Sequence, residues 1–222
     1  MLQASFATNG FVLVPDVIPA GECEAIAELV TLGRDAVGSR CLLPEAWCAR
    51  LAKRVQNTAA VSELVPADYA AVQCTYFEKS AERNWLVPIH QDLSIPVAER
   101  VDDPALGGWS EKEGSLFVRP PVETLEQLVA VRLHLDPCSV DDGPLRVVPG
   151  SHRLGCVSAD VAVEMRRASE TACPSERGGI LALRPLLLHA SSKSTGTSRR
   201  RVLHFLFGPR ALKHGLRWRH AV

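Results

Sequence analysis

The sequence lacks an excess of charge of either sign. Its 222 residues include 25 Lys or Arg and 25 Asp or Glu, so the formal net charge is zero with histidine neutral. A strongly basic surface would favour nucleic acid or an anionic membrane, and no such surface is indicated. We therefore expect a small molecule as the partner, and we expect neither nucleic acid nor a membrane.

Long apolar runs and leader-like segments are also missing. No run approaches the roughly 18 apolar residues that a membrane span requires. The opening MLQASFATNGFVLVPD has no basic segment followed by an apolar one, which is the pattern of a secretory signal. These two features lead us to expect a soluble, cytoplasmic protein.

The cysteines show neither of the two common structural patterns. There are seven, an odd number, and no two of them stand in a C-x-x-C spacing. The sequence thus indicates neither a disulfide framework nor a zinc clip. Reduced thiols fit a cytosolic protein, and we assign them no chemistry.

The first third of the chain is predicted to be mainly helical. A helix should begin at Pro19 and stop at Gly33 or Gly38, because an apolar stripe at helical spacing lies between them. Two more helices are expected over residues 44–55 and 61–65.

Seven short β-type runs, separated by turn residues, fill most of the remainder. They are AVQCTYFE, WLVPIHQDLSI, SLFVRP, LVAVRLHLD, PLRVVPG, GILALRPLLLHA and RRVLHFLFG. Most separations are too short for crossover helices, which favours antiparallel pairing in a sandwich or barrel. We expect one domain over residues 1–222, with a helical flank at 1–66, a β core at 67–210 and a basic tail at 211–222.

Two segments interrupt the strands. Residues 93–114 show no clear periodicity, and a loop of this length in a compact domain is typically a functional lid or a disordered segment. Residues 155–178 are polar, with a helical pattern near 161–167. The 93–127 segment and the side chains inside the β core would decide which substrate fits.

His90 and Asp92 form the first chemically informative pair. They stand two residues apart in WLVPIHQDLSI, and alternate residues of a strand share a face, so both could reach one metal ion. Two histidines and a carboxylate suit iron(II), since this facial set leaves three positions open. His189, at the end of the run ILALRPLLLHA, is the candidate third ligand. The alternative is an H-x-D pair on a solvated strand face, because so short a motif also occurs by chance.

Three consecutive arginines follow His189 after ten, eleven and twelve residues: Arg199, Arg200 and Arg201. A planar guanidinium is well suited to a two-point contact with a carboxylate. Strand alternation directs Arg200 to the side opposite Arg199 and Arg201. Only one or two of the three can therefore face inward.

Three motifs together resemble the phytanoyl-CoA dioxygenase family of 2-oxoglutarate oxygenases. They are HQD at 90–92, DDGPLRVVPGSHR at 141–153 and RPLLLHASSKSTGTSRRRVLHF at 184–205. The resemblance extends more weakly over nearly the whole chain. It implies a mainly β fold with N-terminal helices, namely a double-stranded β-helix of the jelly-roll or cupin type.

The same resemblance implies roles for individual residues. The iron ligands would be His90, Asp92 and His189. Arg200, eleven residues after the last ligand, would pair with the far carboxylate of 2-oxoglutarate, and Arg201 is the alternative in a shifted register. Ser191 and Gln73 resemble further cosubstrate contacts. Their alternatives are a loop hydroxyl bonded to its own backbone and a strand residue facing solvent.

The resemblance also implies the reaction. Iron(II), 2-oxoglutarate and dioxygen would act together, with ascorbate added in assays, to hydroxylate a C–H bond of a small molecule and release succinate and carbon dioxide. Because Asp92 is present, a halogenation product is not expected. Two alternatives stay open: a catalytically inactive jelly-roll protein that binds a ligand or regulates through a vestigial metal site, and a zinc hydrolase with the same three side chains.

Four further residues have open interpretations. Arg132 and His134 stand at alternate positions of LVAVRLHLD and share a face, and they would contact the substrate if that face is the barrel lumen. His204 is either a lumen residue or a satisfied core histidine, and we expect the core. We expect Trp109 to be a packing aromatic. The basic stretch 199–222 does not by itself indicate an acyl-CoA substrate.

Overall fold

The computed structural model describes residues 1–30, 38–80, 83–196 and 198–222. Its α-helices are α1 (Leu2–Asn9), α2 (Ala20–Glu28), α3 (Ala46–Gln56), α4 (Ala59–Ser62), α5 (Val122–Gln127) and α6 (Ala159–Ala168). Helices α2, α3 and α4 cover nearly the positions expected from the sequence, whereas the stop proposed at Gly33 lies outside the described residues. None of the helices in the described part of the chain has the length and apolar character needed to cross a bilayer.

Helix α1 was not expected from the sequence. Only Phe6 of its side chains is buried, so it has no apolar stripe for a periodicity argument to find. It ends at Gly10, whose positive φ of 80° is readily adopted by glycine. The helical pattern near residues 161–167 is confirmed by α6, at whose start Ser158 accepts a hydrogen bond from the Val161 N–H.

The strands are short, apart from two long central ones. They are β1 (Phe11–Val14), β2 (Gly38–Ser39), β3 (Tyr69–Lys79), β4 (Val87–His90), β5 (Ile95–Val97), β6 (Gly107–Lys112), β7 (Ser115–Arg119), β8 (Val129–His134), β9 (Leu145–Val147), β10 (Thr171–Cys173), β11 (Ile180–Leu183), β12 (His189–Ser191) and β13 (Arg200–Pro209). They form a six-stranded sheet (β1-β11-β8-β13-β3-β2), a four-stranded sheet (β10-β9-β12-β4) and a three-stranded sheet (β5-β7-β6).

All pairings between these strands in the described residues are antiparallel. Side chains of the six-stranded, four-stranded and three-stranded sheets meet in one shared apolar cluster. The mainly β architecture with N-terminal helices is confirmed, and its sheets are those of a jelly roll.

Two of the seven predicted runs are each divided into two strands. The run at 85–95 contains β4 and the first residue of β5, and the run at 179–190 contains β11 and the first two residues of β12. Pro185 accounts for the second break, because proline has no N–H to donate to a ladder. The chain turns there, and the Leu187 N–H donates to the Arg184 carbonyl at 2.9 Å. The segment at 93–114, which showed no periodicity, supplies β5 and β6 of the smallest sheet.

The six-stranded sheet separates two apolar layers. On one face, Leu133 of β8 and Phe205 of β13 pack in a cluster with Val55 of α3. On the other face, Ala130 and Leu206 pack toward the remaining sheets. One face is thus anchored to helices, which leaves the other face to line a cavity.

The expected basic tail at 211–222 packs against the domain. Trp218 is 7% exposed, and its indole N–H donates to the Pro209 carbonyl at 2.7 Å. The main chain of Val222 exchanges two hydrogen bonds with Ala71, at 3.1 and 3.2 Å. These contacts fix the last residues of the chain beside the start of β3.

Replacing Leu133 by alanine tests the layer between sheet and helices. Leu133 is completely buried, and a cavity left by a Leu→Ala change in a core costs about 2–5 kcal/mol. We expect Leu133→Ala to lower the free energy of unfolding by this amount, measured by urea denaturation. Leu154→Ala, at a position 57% exposed, is the control and should change it by less than about 0.5 kcal/mol. Equal losses would contradict the assigned core.

Candidate active site

His90, Asp92 and His189 lie together at one wall of an internal cavity. One donor atom from each residue lies within 4.8 Å of the others. The His90 Nε2 is 3.8 Å from one Asp92 carboxylate oxygen, and the His189 Nε2 is 3.7 Å from the other. The two imidazole rings are 4.2 Å apart between centroids. The three side chains therefore enclose a space that one metal ion would fill.

Strand pairing and backbone contacts orient the two imidazoles. His90 on β4 and His189 on β12 are directly paired across the four-stranded sheet. The Nδ1 of His90 lies 2.9 Å from the Pro88 carbonyl, and that of His189 lies 2.8 Å from the Leu187 carbonyl. A carbonyl only accepts hydrogen bonds, so both Nδ1 atoms carry the proton. Each Nε2 lone pair is then directed to the shared space, as in metal-binding histidines.

The backbone around the three residues differs from the expectation. Strand β4 ends at His90, so Asp92 lies beyond the strand and is not placed by alternation along it. Its main-chain N–H instead donates to the Pro185 carbonyl at 2.9 Å. His189 was expected at the end of a long strand, but it is the first residue of β12. The turn at Pro185 explains both differences. It separates β11 from β12, and its carbonyl holds the loop that follows β4 through the hydrogen bond from Asp92.

The protonation states of His189 and Asp92 suit a metal site. Burial lowers the pKa of His189 to about 4, although the charge of Asp92 acts in the opposite direction. Burial alone would raise the pKa of Asp92, but the neighbouring imidazoles, His189 first, bring it below its usual value. Near neutral pH, His189 is neutral and Asp92 is ionised, which are the forms that bind metals.

The cavity has a volume of about 420 Å³ and is bounded by all three sheets. It is also lined by Lys79 on β3 and Arg200 on β13, which are cross-strand partners. The Lys79 ammonium donates to the Ser191 hydroxyl and to the Ser192 carbonyl, both at 2.6 Å. Arg200 donates through Nη1 to the Gly143 carbonyl, and its buried Nε has no partner in the described residues.

The two flanking arginines are engaged outside this cavity. The Arg199 Nε donates to a Glu78 carboxylate oxygen at 3.0 Å. Arg201 makes a two-point contact with Asp136, with both N···O distances at 2.7 Å. Of the three consecutive arginines, Arg200 is the one that lines the cavity.

Ser191 and Gln73 both line the cavity. The Ser191 hydroxyl, besides accepting from Lys79, donates to the Gly143 carbonyl at 3.0 Å. The Gln73 amide donates to the Thr75 hydroxyl at 2.9 Å. Gln73 stands six residues before Lys79 on β3, so their backbones are separated by about 20 Å at the usual strand rise.

Arg132 and His204 also line the cavity, at a level of the sheet between Gln73 and Lys79. They are cross-strand partners, and an Arg132 Nη1 lies 3.0 Å from the His204 Nδ1. The expectation that His204 is a satisfied core histidine was wrong, because it alternates with Arg200 along β13 and shares its face. His134 is buried beside them but does not line the cavity.

Comparison with known proteins places this arrangement in a family. The sequence matches the phytanoyl-CoA dioxygenase (PhyH) family over residues 6–202. The chain belongs to the phytanoyl-CoA dioxygenase family. Members of this family use iron(II), 2-oxoglutarate and dioxygen. Among curated proteins, none matches the sequence.

Solved structures share the fold of this family member at low sequence identity. HygX from Streptomyces hygroscopicus with nickel and 2-oxoglutarate bound is 19% identical, with a TM-score of 0.63 over 92% of this chain and 84% of that chain. The epimerase SnoN in complex with Fe3+, alpha ketoglutarate and nogalamycin RO is 18% identical, with a TM-score of 0.68 over 93% and 82%. The apoform of EctD from S. alaskensis is 16% identical, with a TM-score of 0.67 over 93% and 75%.

Sequence reasoning about this phytanoyl-CoA dioxygenase family member missed Lys79 and Trp85. The lysine is 1% exposed, and its ammonium also lies 5.4 Å from the centroid of the Trp85 ring. A signal for Lys79 was present, because it alternates with Gln73 along β3 and therefore shares a face with it. Trp85 lies before β4 in a loop, where no periodicity could have indicated its direction.

The buried imidazole of His134 predicts a loss of stability in acid. Burial lowers its pKa from 6.5 to about 3, so the unfolded chain takes up its proton at a higher pH than the folded protein does. The contribution of the neutral His134 to the free energy of unfolding is fully present above pH 6.5 and is lost as the pH falls from there to about 3. We expect the free energy of unfolding, from urea titrations between pH 7.5 and 4.5, to fall less steeply in His134→Gln than in the wild type.

The matched control removes a partly exposed imidazole, that of His214, which pairs with Asp103. The pH dependence of His214→Gln should stay closer to that of the wild type. A slope in His134→Gln equal to the wild-type slope would show that His134 does not titrate as a buried neutral group.

Proposed function

We propose that this protein is an iron(II)- and 2-oxoglutarate-dependent dioxygenase that hydroxylates a C–H bond of a small molecule and releases succinate and carbon dioxide. One observation carries the proposal. The His90, Asp92 and His189 donors and the Lys79–Arg200 pair of cations occupy the same cavity. Such a cavity can hold a metal together with a dianionic cosubstrate.

The three donors fit iron(II). Two neutral imidazoles and one ionised carboxylate form the facial set that this metal takes in oxygenases, with open positions left for cosubstrate and oxygen. Zinc accepts the same donors in hydrolases. A zinc hydrolase, however, has no use for two buried cations deep in the site, whereas 2-oxoglutarate requires a partner for its far carboxylate.

The cationic end fits that carboxylate. The Arg200 guanidinium presents a planar fork, and Lys79 and the Ser191 hydroxyl lie next to it. The described residues include no carboxylate that pairs with either cation. We assign Arg200, Lys79 and Ser191 to the far carboxylate of the cosubstrate. Gln73 lies six residues before Lys79 along β3, so we place it in the part of the cavity left for the substrate.

The residues of the chain create the conditions for the oxidation. When bound, the iron with 2-oxoglutarate and dioxygen supplies the oxidising power. His90 and His189 hold the metal from a paired position in the sheet, so its place relative to the cavity is fixed. Apolar side chains of the wall, among them Phe77 and Leu206, exclude bulk water and confine the C–H bond.

Hydroxylation is the outcome that we propose for this site, and SnoN shows that an epimerase shares the fold. Hydroxylation adds one oxygen atom to the substrate, whereas epimerisation adds none. The mass of the product, obtained from a substrate screen that is read by succinate release, therefore distinguishes the two outcomes.

Arg200→Gln tests the cosubstrate assignment. Iron(II) and 2-oxoglutarate added without oxygen should give the wild type a weak visible charge-transfer band. Loss of two charge-assisted hydrogen bonds should weaken 2-oxoglutarate binding by about 100-fold, while the affinity for iron stays nearly unchanged. The measurement is a titration of the band with 2-oxoglutarate at saturating iron.

Arg199→Gln is the matched control, because the exposed Arg199 side chain contacts Glu78 and does not line the cavity. It should bind 2-oxoglutarate as the wild type does. A wild type without the band would count against the proposal. A large loss in Arg201→Gln, with Arg200→Gln unaffected, would show that the shifted register is the correct one.

A further inference from the structure

The cavity contains more positive charge than the proposed cofactors neutralise. Three basic side chains are buried in its wall, Lys79, Arg132 and Arg200, with exposed fractions of 1, 6 and 4%. Asp92 is the one acidic side chain among the described residues that line the cavity. None of the three cations forms an ion pair with another described residue. A buried charge without a partner destabilises a protein, so a ligand is expected to compensate it.

The balance of charges rests on the proposed function. Iron(II) bound to Asp92 and two neutral imidazoles carries one net positive charge. 2-Oxoglutarate brings two negative charges, which leaves the metal and cosubstrate together with one negative charge. The three cations carry two more positive charges than this negative charge neutralises. One positive charge still remains in excess if Lys79 releases its proton. The filled site therefore retains an excess of positive charge.

Arg132 is the cation that the cosubstrate leaves without a partner. Across the sheet, Arg132 of β8 pairs with His204 of β13, which pairs in turn with Thr75 of β3, whereas Arg200 of β13 pairs with Lys79 of β3. His204 and Arg200 are four residues apart along β13, or about 13 Å at the usual strand rise. The two guanidinium groups are also held by different acceptors, since Arg200 donates to the Gly143 carbonyl and Arg132 contacts His204.

The guanidinium of Arg132 is held in place and is also available. Burial lowers the pKa of His204 to about 3, so its neutral Nδ1 accepts the hydrogen bond from Arg132. The Arg132 Cζ lies 5.1 Å from the centroid of the Phe77 ring. The buried Nε has no hydrogen-bond partner in the described residues. Donors therefore remain for a ligand, on a side chain whose position is already fixed.

Arg132 is also near the metal donors. It lines the same cavity as His90, Asp92 and His189. An anionic group bound to Arg132 would therefore hold the remainder of the same molecule close to the iron. Lys112, which also lines the cavity, is exposed and would attract an anion from solution.

We propose that Arg132 binds a carboxylate of the primary substrate, which makes this protein an oxygenase of small organic acids. A carboxylate matches the planar guanidinium by two-point contact. Its single charge also compensates the excess that remains beside 2-oxoglutarate. A cavity of about 420 Å³ that must also hold the cosubstrate favours a small acid over a bulky phosphate ester.

The experiment compares acids with their amides on the anaerobic protein that contains iron(II) and 2-oxoglutarate. The probes are benzoate with benzamide and hexanoate with hexanamide, and phenyl phosphate is a separate arm. Binding is read from the change in the visible band and from the shift of the thermal unfolding midpoint. In the wild type, at least one acid should bind about tenfold more tightly than its amide, as expected for one charged hydrogen-bonded contact.

Arg132→Gln should reduce this preference to about one while leaving 2-oxoglutarate affinity within about twofold of the wild type. Arg132→Lys, which keeps the charge, should retain part of the preference. Arg184→Gln is the matched control, because Arg184 also lies over an aromatic ring, that of Phe6, but does not line the cavity. It should retain the full preference.

Four results would overturn the inference. They are no acid preference in the wild type, a preference that persists in Arg132→Gln, a loss of 2-oxoglutarate affinity in Arg132→Gln as large as in Arg200→Gln, and tighter binding of phenyl phosphate than of both acids. The visible band is recorded first. Its absence means that the proposed function fails, whereas its presence with equal binding of acids and amides means that this inference alone fails.

Discussion

The pairing of β4 with β12 is the constraint on which the site depends. It places His90 directly opposite His189, although the two residues lie far apart in the sequence. A shift of one residue in this pairing would turn a side chain to the opposite face and separate the two imidazoles. The turn at Pro185 completes the arrangement, because its carbonyl accepts the main-chain N–H of Asp92. Two of the three donors are thus carried by a sheet, which holds them more precisely than a loop could.

Stability does not account for the charges in the cavity wall. Buried cations without an ion pair destabilise a fold, and Lys79, Arg132 and Arg200 have no ion-pair partner among the residues that the structure describes. The packing of the six-stranded sheet against the N-terminal helices offsets this cost, since Leu133 and Phe205 are fully buried on its other face. The opposite faces of one sheet therefore have different roles. One stabilises the fold, and the other presents charge to ligands.

Much of the site could be predicted from the sequence because its signals are local. The H-x-D spacing and the distances from His189 to the three arginines directed attention to His90, Asp92 and Arg200. Strand alternation put Arg200 on the side opposite Arg199 and Arg201, and the family resemblance then selected Arg200 as the cosubstrate residue. In the structure, Arg199 and Arg201 contact Glu78 and Asp136. The spacing and the alternation are consequences of residue order, which a sequence displays directly.

Other features depend on contacts between distant parts of the chain. The paired cations Lys79 and Arg200 follow from the register of β3 with β13, which no single strand pattern reveals. The same holds for His204, whose contact with Arg132 requires the pairing of β13 with β8. The break at Pro185 was readable in principle, because proline interrupts a ladder. The docking of Trp218 depends on the shape of the finished domain.

The release of carbon dioxide tests the central claim most directly. The protein is incubated in air with 2-oxoglutarate that is labelled at the carboxylate next to the keto group, with and without iron(II). The account predicts labelled carbon dioxide that requires iron, is lost in His189→Ala and is retained in Leu154→Ala, which changes an exposed side chain. Release that is independent of iron, or that persists unchanged in His189→Ala, would contradict it.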